Sequence, residues 1–308
     1  MELIEKEIKI DFVRRRFIAF GFSGLLLLIS IGSLIFQGLN LGIDFAGGTL
    51  VQVRFDKPVS SQQVREALSP LNLGDVVVQD FGSPEELLIR VERRAQGLDR
   101  QNQLAVQVVE ALKPLAGEDG QVDLRRVEFV GPQVGDELKE AGLLAMLLSM
   151  LAILIYVAVR FEFRFAIGAV VALLHDVILT MGFFSLLQKE FTLVVVAALL
   201  TVVGYSLNDT IVVFDRVREE MKRLKKQPMD KIVNVAVNRT LSRTLVTSLT
   251  TILVLVALLV FGGQVIHDFS LTLFFGVVVG TYSSIFVASS VVLLMKPPAR
   301  NPDFDKMP

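Results

Sequence analysis

The chain contains no cysteine among its 308 residues. That absence excludes a disulfide framework, a Cys-ligated zinc or iron–sulfur site, and thiol catalysis. Only two histidines occur, His175 and His267; without Cys or a His-Glu-x-x-His helix they predict no metal site. Charge of one sign is also lacking: 31 basic residues stand against 32 acidic ones. Bulk electrostatics therefore points to no nucleic acid and identifies no anionic lipid partner. A phosphate loop is missing as well, because Gly42, Gly47 and Gly48 form a glycine patch with no Gly-Lys-Ser/Thr after it. Asp80-Phe81-Gly82 spells a kinase triplet, but the accompanying Lys and His-Arg-Asp elements are absent. No nucleotide, metal or other cofactor is expected.

What the chain does have is apolar sequence, and it is segregated. Mean hydropathy is +0.58, with 52% apolar residues gathered into long charge-free runs. A hydrocarbon core of about 30 Å needs roughly 20 apolar helical residues. Six stretches qualify: Phe17 to Phe36, Ala141 to Val159, Phe165 to Leu187, Phe191 to Phe214, Leu241 to Phe261 and Phe269 to Met295. The first follows Arg14, Arg15 and Arg16 but exceeds the 7 to 15 residues of a signal core, so it reads as an uncleaved span. Residues 215–240 carry Arg216, Arg218, Lys222, Arg223, Lys225, Lys226, Lys231 and Arg239, whereas 188–190 and 262–268 hold Lys189 alone. The positive-inside rule makes 215–240 a cytoplasmic loop, and six spans put both termini on that side. Lys296 and Arg300 in the tail, 296–308, agree. Anionic lipid heads beside the membrane account for the basic loop, and the Asn238/Thr240 sequon lies on the wrong side to be used.

With 1–36 as N-terminus and first span and 141–295 as the remaining five, residues 37–140 fall outside the membrane. This segment holds 11 basic and 17 acidic residues. Thr49 to Phe55 alternates as a strand, Ser61 to Leu68 forms a Ser-capped helix, and strands Val76 to Asp80 and Leu87 to Glu92 flank a Gly-Ser-Pro turn. A helix over Asp99 to Leu112 and a strand over Val122 to Val130 follow. The order is βαββαβ, a ferredoxin-like α+β domain with both helices on one face and the other free for contact.

Ionisable groups inside spans cost about 2.5 to 3.5 kcal/mol each on insertion scales and need a partner or a function. His175 and Asp176 lie near the middle of span three, with Asp176 on a face of Gly168, Ala172 and Thr180. Span four ends in Gly204-Tyr205-Ser206-Leu207-Asn208-Asp209, and its stripe of Ala197, Thr201, Gly204 and Asn208 has Asp209 at the edge. Span five presents Thr240, Arg243, Thr247 and Thr251 on one face. Asp209 and Arg243 fall at similar depth on consecutive spans, as a titrating pair, a structural ion pair, or an acid beside a snorkelling arginine. Tyr205, Ser206, Asn208 and Thr247 are candidates to hold water or relay hydrogen bonds. His175 and Asp176 read either as a relay or as a satisfied pair closing a helix interface. Gly276, Gly280, Ser284 and Ala288 make a small-residue ridge for close packing on span six.

Five segments together resemble the SecF family, the small membrane subunits of the bacterial SecD/SecF protein-export complex. They are Gly42-Ile-Asp44-Phe-Ala-Gly47-Gly48-Thr49, Gly131-Pro132-Gln-Val-Gly135-Asp-Glu-Leu138, His175-Asp-Val177, Gly204 to Arg216 and Gly280 to Phe286. The resemblance covers nearly the whole chain. It implies a six-span half of an RND-superfamily bundle that needs SecD as its other half. It further implies a multi-pass protein of the bacterial cytoplasmic (inner) membrane that uses the proton motive force to pull an exported, unfolded preprotein from SecYEG, with YajC and YidC as further partners. On the same resemblance Asp209 and Arg243 are the residues associated with proton passage. An RND-type exporter half for lipids or small molecules, and a non-conducting structural subunit, are the alternatives.

Overall fold

The computed structural model describes residues 10–74, 76–91, 98–116 and 121–295. The tail with Lys296 and Arg300, the first nine residues and Glu92 at the end of an expected strand lie outside the described residues. Helix α1, Arg16–Phe36, begins at the last of the three arginines and is followed by Gln37 as its C-cap. It presses on the third span so closely that a Cβ on Gly182 would lie 2.2 Å from Ser30 Cβ. After α1 come the two-residue strand β1, Asn40–Leu41, and the single-turn helix α2, Ile43–Ala46, neither expected from sequence.

The strand-rich unit starts at β2, Gly48–Phe55, and continues through α3, Ser61–Leu68. A capping box opens α3: Ser60 Oγ accepts from Gln63 N at 3.3 Å, and Ser60 N donates to Gln63 Oε1 at 3.1 Å. Strands β3, Val76–Phe81, and β4, Ser83–Val91, meet at Gly82, whose φ of 81° supplies the turn, so Ser83 and Pro84 belong to β4. Helix α4, Leu98–Ala116, and strand β5, Val122–Val130, complete the βαββαβ order. The sheet runs β3-β4-β2-β5 with every pair antiparallel. Period-two alternation sends Val51, Val53, Phe55, Leu87 and Ile89 to one face, where Val64 and Leu68 of α3 and Leu104, Val108 and Leu112 of α4 cover them. The opposite face is not wholly free, as the sequence suggested. Leu50 and Leu88 there pack on Ile43 of α2, because the chain re-enters the bundle at that end of the sheet.

The remaining helices form the bundle: α5, Pro132–Arg160; α6, Phe163–Leu186; α7, Leu193–Arg223; α8, Met229–Phe261; and α9, Gln264–Ser283. A π-helical turn, Ser284–Ala288, and α10, Ser289–Leu294, continue the sixth span. The two-residue strand β6, Glu190–Phe191, precedes α7 and pairs in parallel with β1. With α1, six helices among the described residues are long and apolar enough to cross a membrane.

Two boundaries differ from the sequence reading for physical reasons. Helix α5 begins nine residues before the apolar run because Pro132 occupies its first position, where a missing N–H costs nothing. The basic segment 215–240 is not a loop: α7 and α8 carry helix through it and leave only residues 224–228 as the connection. Its charges are paired across the hairpin. Buried Glu220 lies 3.0 Å from Arg223, 3.4 Å from Arg216 and 2.5 Å from Arg239 of α8. Asn234 and Asn238 on α8 also grip the segment before α1, with Ile10 N to Asn238 Oδ1 and Phe12 N to Asn234 Oδ1 both at 2.9 Å.

Candidate functional site

The glycine motifs converge where the sheet meets the bundle. A Cβ at Gly135 would lie 3.0 Å from Phe45 O and 3.4 Å from Gly47 N, so glycine there lets α5 lie against α2 without pushing its backbone aside. Gly47 has φ of 72° and would place a Cβ 3.3 Å from Pro132 Cα. Gly131 is the residue preceding α5, and Gly48 opens β2. Gly42 donates its N–H to Phe191 O at 3.0 Å. Asp44 Oδ2 accepts from Leu193 N at 2.8 Å, satisfying one of the orphan donors at the start of α7. Arg90 of β4 donates to Leu41 O and stands 3.8 Å from Glu190, joining the sheet to β1 and β6. Burial pushes the Glu190 carboxyl above the usual glutamate value. Arg90 pulls it back, and Asp268 and Asp44 add to the rise.

Deeper in the bundle lies a polar centre. Asp176, 1% exposed, accepts through Oδ2 from Ser206 Oγ of α7 at 2.5 Å and from Ser283 Oγ of α9 at 2.7 Å. Its Oδ1 lies 2.9 Å from His175 Nδ1, while His175 Nε2 is buried without a partner. Beside His175, the Tyr282 hydroxyl lies 3.0 Å from Ser23 Oγ and donates to Ala19 O at 2.9 Å, both on α1. Glycines bring the helices together here. A Cβ on Gly276 would fall 2.2 Å from Val202 Cγ2, and one on Gly280 would fall 3.0 Å from Ser206 Cβ.

One turn along α7 from Ser206, Asp209 is buried and its Oδ2 has no hydrogen-bond partner. Ser248 of α8 stands beside it without meeting hydrogen-bond geometry and accepts instead from Thr281 Oγ1 of α9 at 2.7 Å. The close Asp209–Arg243 pair is not formed. Among the described residues no ion pair reaches Asp209 within 4 Å, and Arg243 is exposed. Asn208 is exposed too, as are Ala197, Thr201 and Gly204 on the same stripe. Thr247 turns its hydroxyl to Arg243 O and Thr244 O of its own helix at 3.0 Å, so it donates to no neighbouring helix. Tyr205 reaches Thr251 Oγ1 at 3.4 Å. The polar residues thus divide into a satisfied centre around Asp176 and an unsatisfied carboxylate at Asp209. Ser283, Ser248, Thr281 and Tyr282 were missed as site residues. Ser283, Thr281 and Tyr282 lie in the Gly280 to Phe286 segment, which the sequence offered as a packing ridge and a family resemblance and not as site chemistry, and Ser248 on α8 carried no such signal.

Comparison with known proteins agrees with this arrangement. Residues 110–297 match the family model described as protein export membrane protein SecD/SecF, C-terminal, and residues 32–59 match the SecD/SecF GG motif. The protein translocase subunit SecF of Magnetococcus marinus is 67% identical over 302 residues, which is 97% of this chain and 96% of that protein. The SecF of Vibrio alginolyticus is 48% identical over 317 residues, covering 100% of this chain and 99% of that one. Among solved structures, SecDF from Thermus thermophilus, described as a translocon-associated membrane protein, superposes with a TM-score of 0.84 at 36% identity. That match covers 96% of this chain and 39% of the SecDF chain, so the present chain spans about two-fifths of it. A SecDF structure in a super-membrane-facing form matches with a TM-score of 0.69 at 37% identity. With the glycine motifs seated at one junction and both family models falling on the segments that build it, the chain belongs to the SecF branch of the SecD/SecF family of protein-export membrane proteins.

Proposed function

We propose that this chain is the SecF-type half of a proton-driven complex that assists late steps of protein export across the bacterial cytoplasmic membrane. The observation that carries the reading is Asp209, a buried carboxylate within a membrane helix with one oxygen unpartnered. Such a group is expensive in a bilayer and marks an ion pathway when no structural partner satisfies it. A proton falling through 100 mV releases about 2.3 kcal/mol, and alternating protonation of Asp209 couples that energy to helix rearrangement. Arg243, on the next helix, sets the electrostatic balance of the carboxylate when the two approach. A fixed structural ion pair is disfavoured because Arg243 is exposed and unpaired with Asp209.

The exposed stripe of Thr201, Gly204 and Asn208 on α7, continued by Arg243 and Thr250 on α8, is too polar for lipid. Small residues of this kind admit a close helix partner. We assign that face to a SecD-type chain, in keeping with the SecDF chain, of which the present chain spans about two-fifths. The complex would act beside SecYEG, with YajC and YidC as further neighbours, on an unfolded preprotein. The strand-rich unit lies outside the membrane and both termini are cytoplasmic, by the distribution of positive charge.

The test is gradient-dependent export by the complete complex. Asp209→Asn keeps size and removes the titratable charge, so export should lose its dependence on the gradient while assembly with SecD stays normal. Arg243→Ala should do the same, and the double substitution should not recover it. Restored coupling in the double variant would reject the carrier role, because a merely structural pair tolerates loss of both partners better than loss of one.

A further inference from the structure

Asp176 is more than a filled polar site, because of which atoms it joins. Two hydroxyls from different helices converge on one of its oxygens, at 2.5 Å from Ser206 and 2.7 Å from Ser283. Those lengths are in the range of hydroxyls donating to a carboxylate. Oδ2 of Asp176 accepts from both serines at once, and Oδ1 faces His175 Nδ1 of its own helix. The two serine bonds therefore fasten α7 and α9 to α6 at one point.

Both serines occupy consequential positions. Ser206 lies three residues before Asp209 on α7, one helical turn away, so a shift of one moves the other. There is no slack across the seam, since Gly276 and Gly280 already bring α9 into contact with Val202 and Ser206. Ser283 is the last residue before the π-helical turn Ser284–Ala288. Such turns are strained insertions within α-helices, found frequently at functional sites. Two residues earlier, Thr281 donates to Ser248, the hydroxyl beside Asp209. The end of α9 thus touches Asp176 through one residue and the surroundings of Asp209 through another.

We propose that Asp176 is a positioning residue for Asp209: its bonds to Ser206 and Ser283 hold α7 and the π-turn of the sixth span in the register that sets the pose of the proton-carrying carboxylate. This rests on the reading of Asp209 given above. The titratable neighbours of the clamp are His175 on its own helix and Tyr282 on α9, and the charged side chain nearest in sequence depth to Asp209 is Arg243 on α8.

The experiment uses the complete complex with its SecD-type partner in proteoliposomes and measures export per assembled complex as a function of pH. Ser206→Ala/Ser283→Ala removes both donors from Asp176 at little steric cost. The double variant should lose export about 10- to 100-fold, the scale on which misplacement of a reacting group acts, and should displace the pH midpoint. Ser283→Thr, which keeps the hydroxyl, should retain the wild-type midpoint. Asp209→Asn, run in parallel, separates the two levels. If it abolishes coupling while the double serine variant keeps both rate and midpoint, the positioning role is overturned and the carrier reading stands. If Asp209→Asn keeps coupling, the carrier reading falls and the clamp loses its purpose with it. Should the double variant fail to assemble, Ser283→Ala alone is read on the same scale, and an unchanged midpoint there likewise overturns the proposal.

Discussion

Helix α5 carries two glycines whose replacement by alanine should act in opposite directions. At Gly135 the new Cβ would lie 3.0 Å from Phe45 O, 3.4 Å from Phe45 C and 3.4 Å from Gly47 N. All three are backbone atoms of α2 or its end. That turn cannot retreat easily, because Gly42 N is bonded to Phe191 O and Asp44 holds Leu193 N. Overpacking of this kind costs about 1 to 3 kcal/mol. Alanine's better helix propensity returns at most about 1 kcal/mol. At Gly142 the nearest foreign atom would be Val196 Cγ1 at 3.7 Å, an ordinary contact, so only the propensity gain applies. The two variants should therefore differ by about 2 kcal/mol, which at roughly 2 to 4 °C per kcal/mol is several degrees in thermal midpoint. Circular-dichroism melts of the purified protein in detergent read this directly. Equal stabilisation by Gly135→Ala and Gly142→Ala would show that the junction between α2 and α5 is not tight, and would refute the role given to the glycine motifs.

Two further outcomes follow from charge placement. Because the Glu190 carboxyl is raised above its ordinary value, chiefly by burial, its contribution to stability is full below about pH 4.3 and is lost as pH rises through its folded value. Glu190→Gln should therefore melt higher than wild type at neutral pH, with the gap closing under acid conditions; a gap that widens in acid would reverse the sign. Cysteines introduced singly at Ser83 and Gln227 of this cysteine-free chain should be labelled from opposite sides of intact membranes, and labelling of both from one side would remove the six-span orientation.

What the sequence revealed depended on whether the determining interaction was local. The capping residues of α3 and the alternation of β2 and β5 lie within a few residues of what they specify, and those elements appear within a residue of expectation. Apolar runs located the six spans for the same reason. Hydropathy failed beyond the bilayer, where α7 and α8 continue as amphipathic helix and charge alone looked like loop. The β1–β6 pair joins residues some 150 positions apart and leaves no local trace. Within the site, Asp176 and Asp209 stood out because charge in a span is conspicuous. Ser206 was legible beside Asp209, but Ser283 was not, since serine in a small-residue ridge reads equally well as close packing. Depth along consecutive spans placed Asp209 near Arg243, but depth carries no information about rotation, and rotation leaves Arg243 exposed.

The length of the α7–α8 hairpin has a mechanical consequence. At about 1.5 Å per residue, helices of 31 and 33 residues extend roughly 46 and 50 Å, well beyond a hydrocarbon core of about 30 Å. Their projecting ends are riveted by Glu220 to Arg239 and joined by only five residues, 224–228. The hairpin is therefore a stiff unit: its longer part, with Asp209, lies within the spans, and a shorter part of roughly 16 to 20 Å projects beyond them. A tilt of α7 near the carboxylate would sweep the projecting tip along with it. The chain entering α1 is lashed to α8 through Asn234 and Asn238, so that sweep also hauls on the first span. On the carrier role proposed for Asp209, force arising at that carboxylate would reach two separate parts of the bundle without any segment having to unfold.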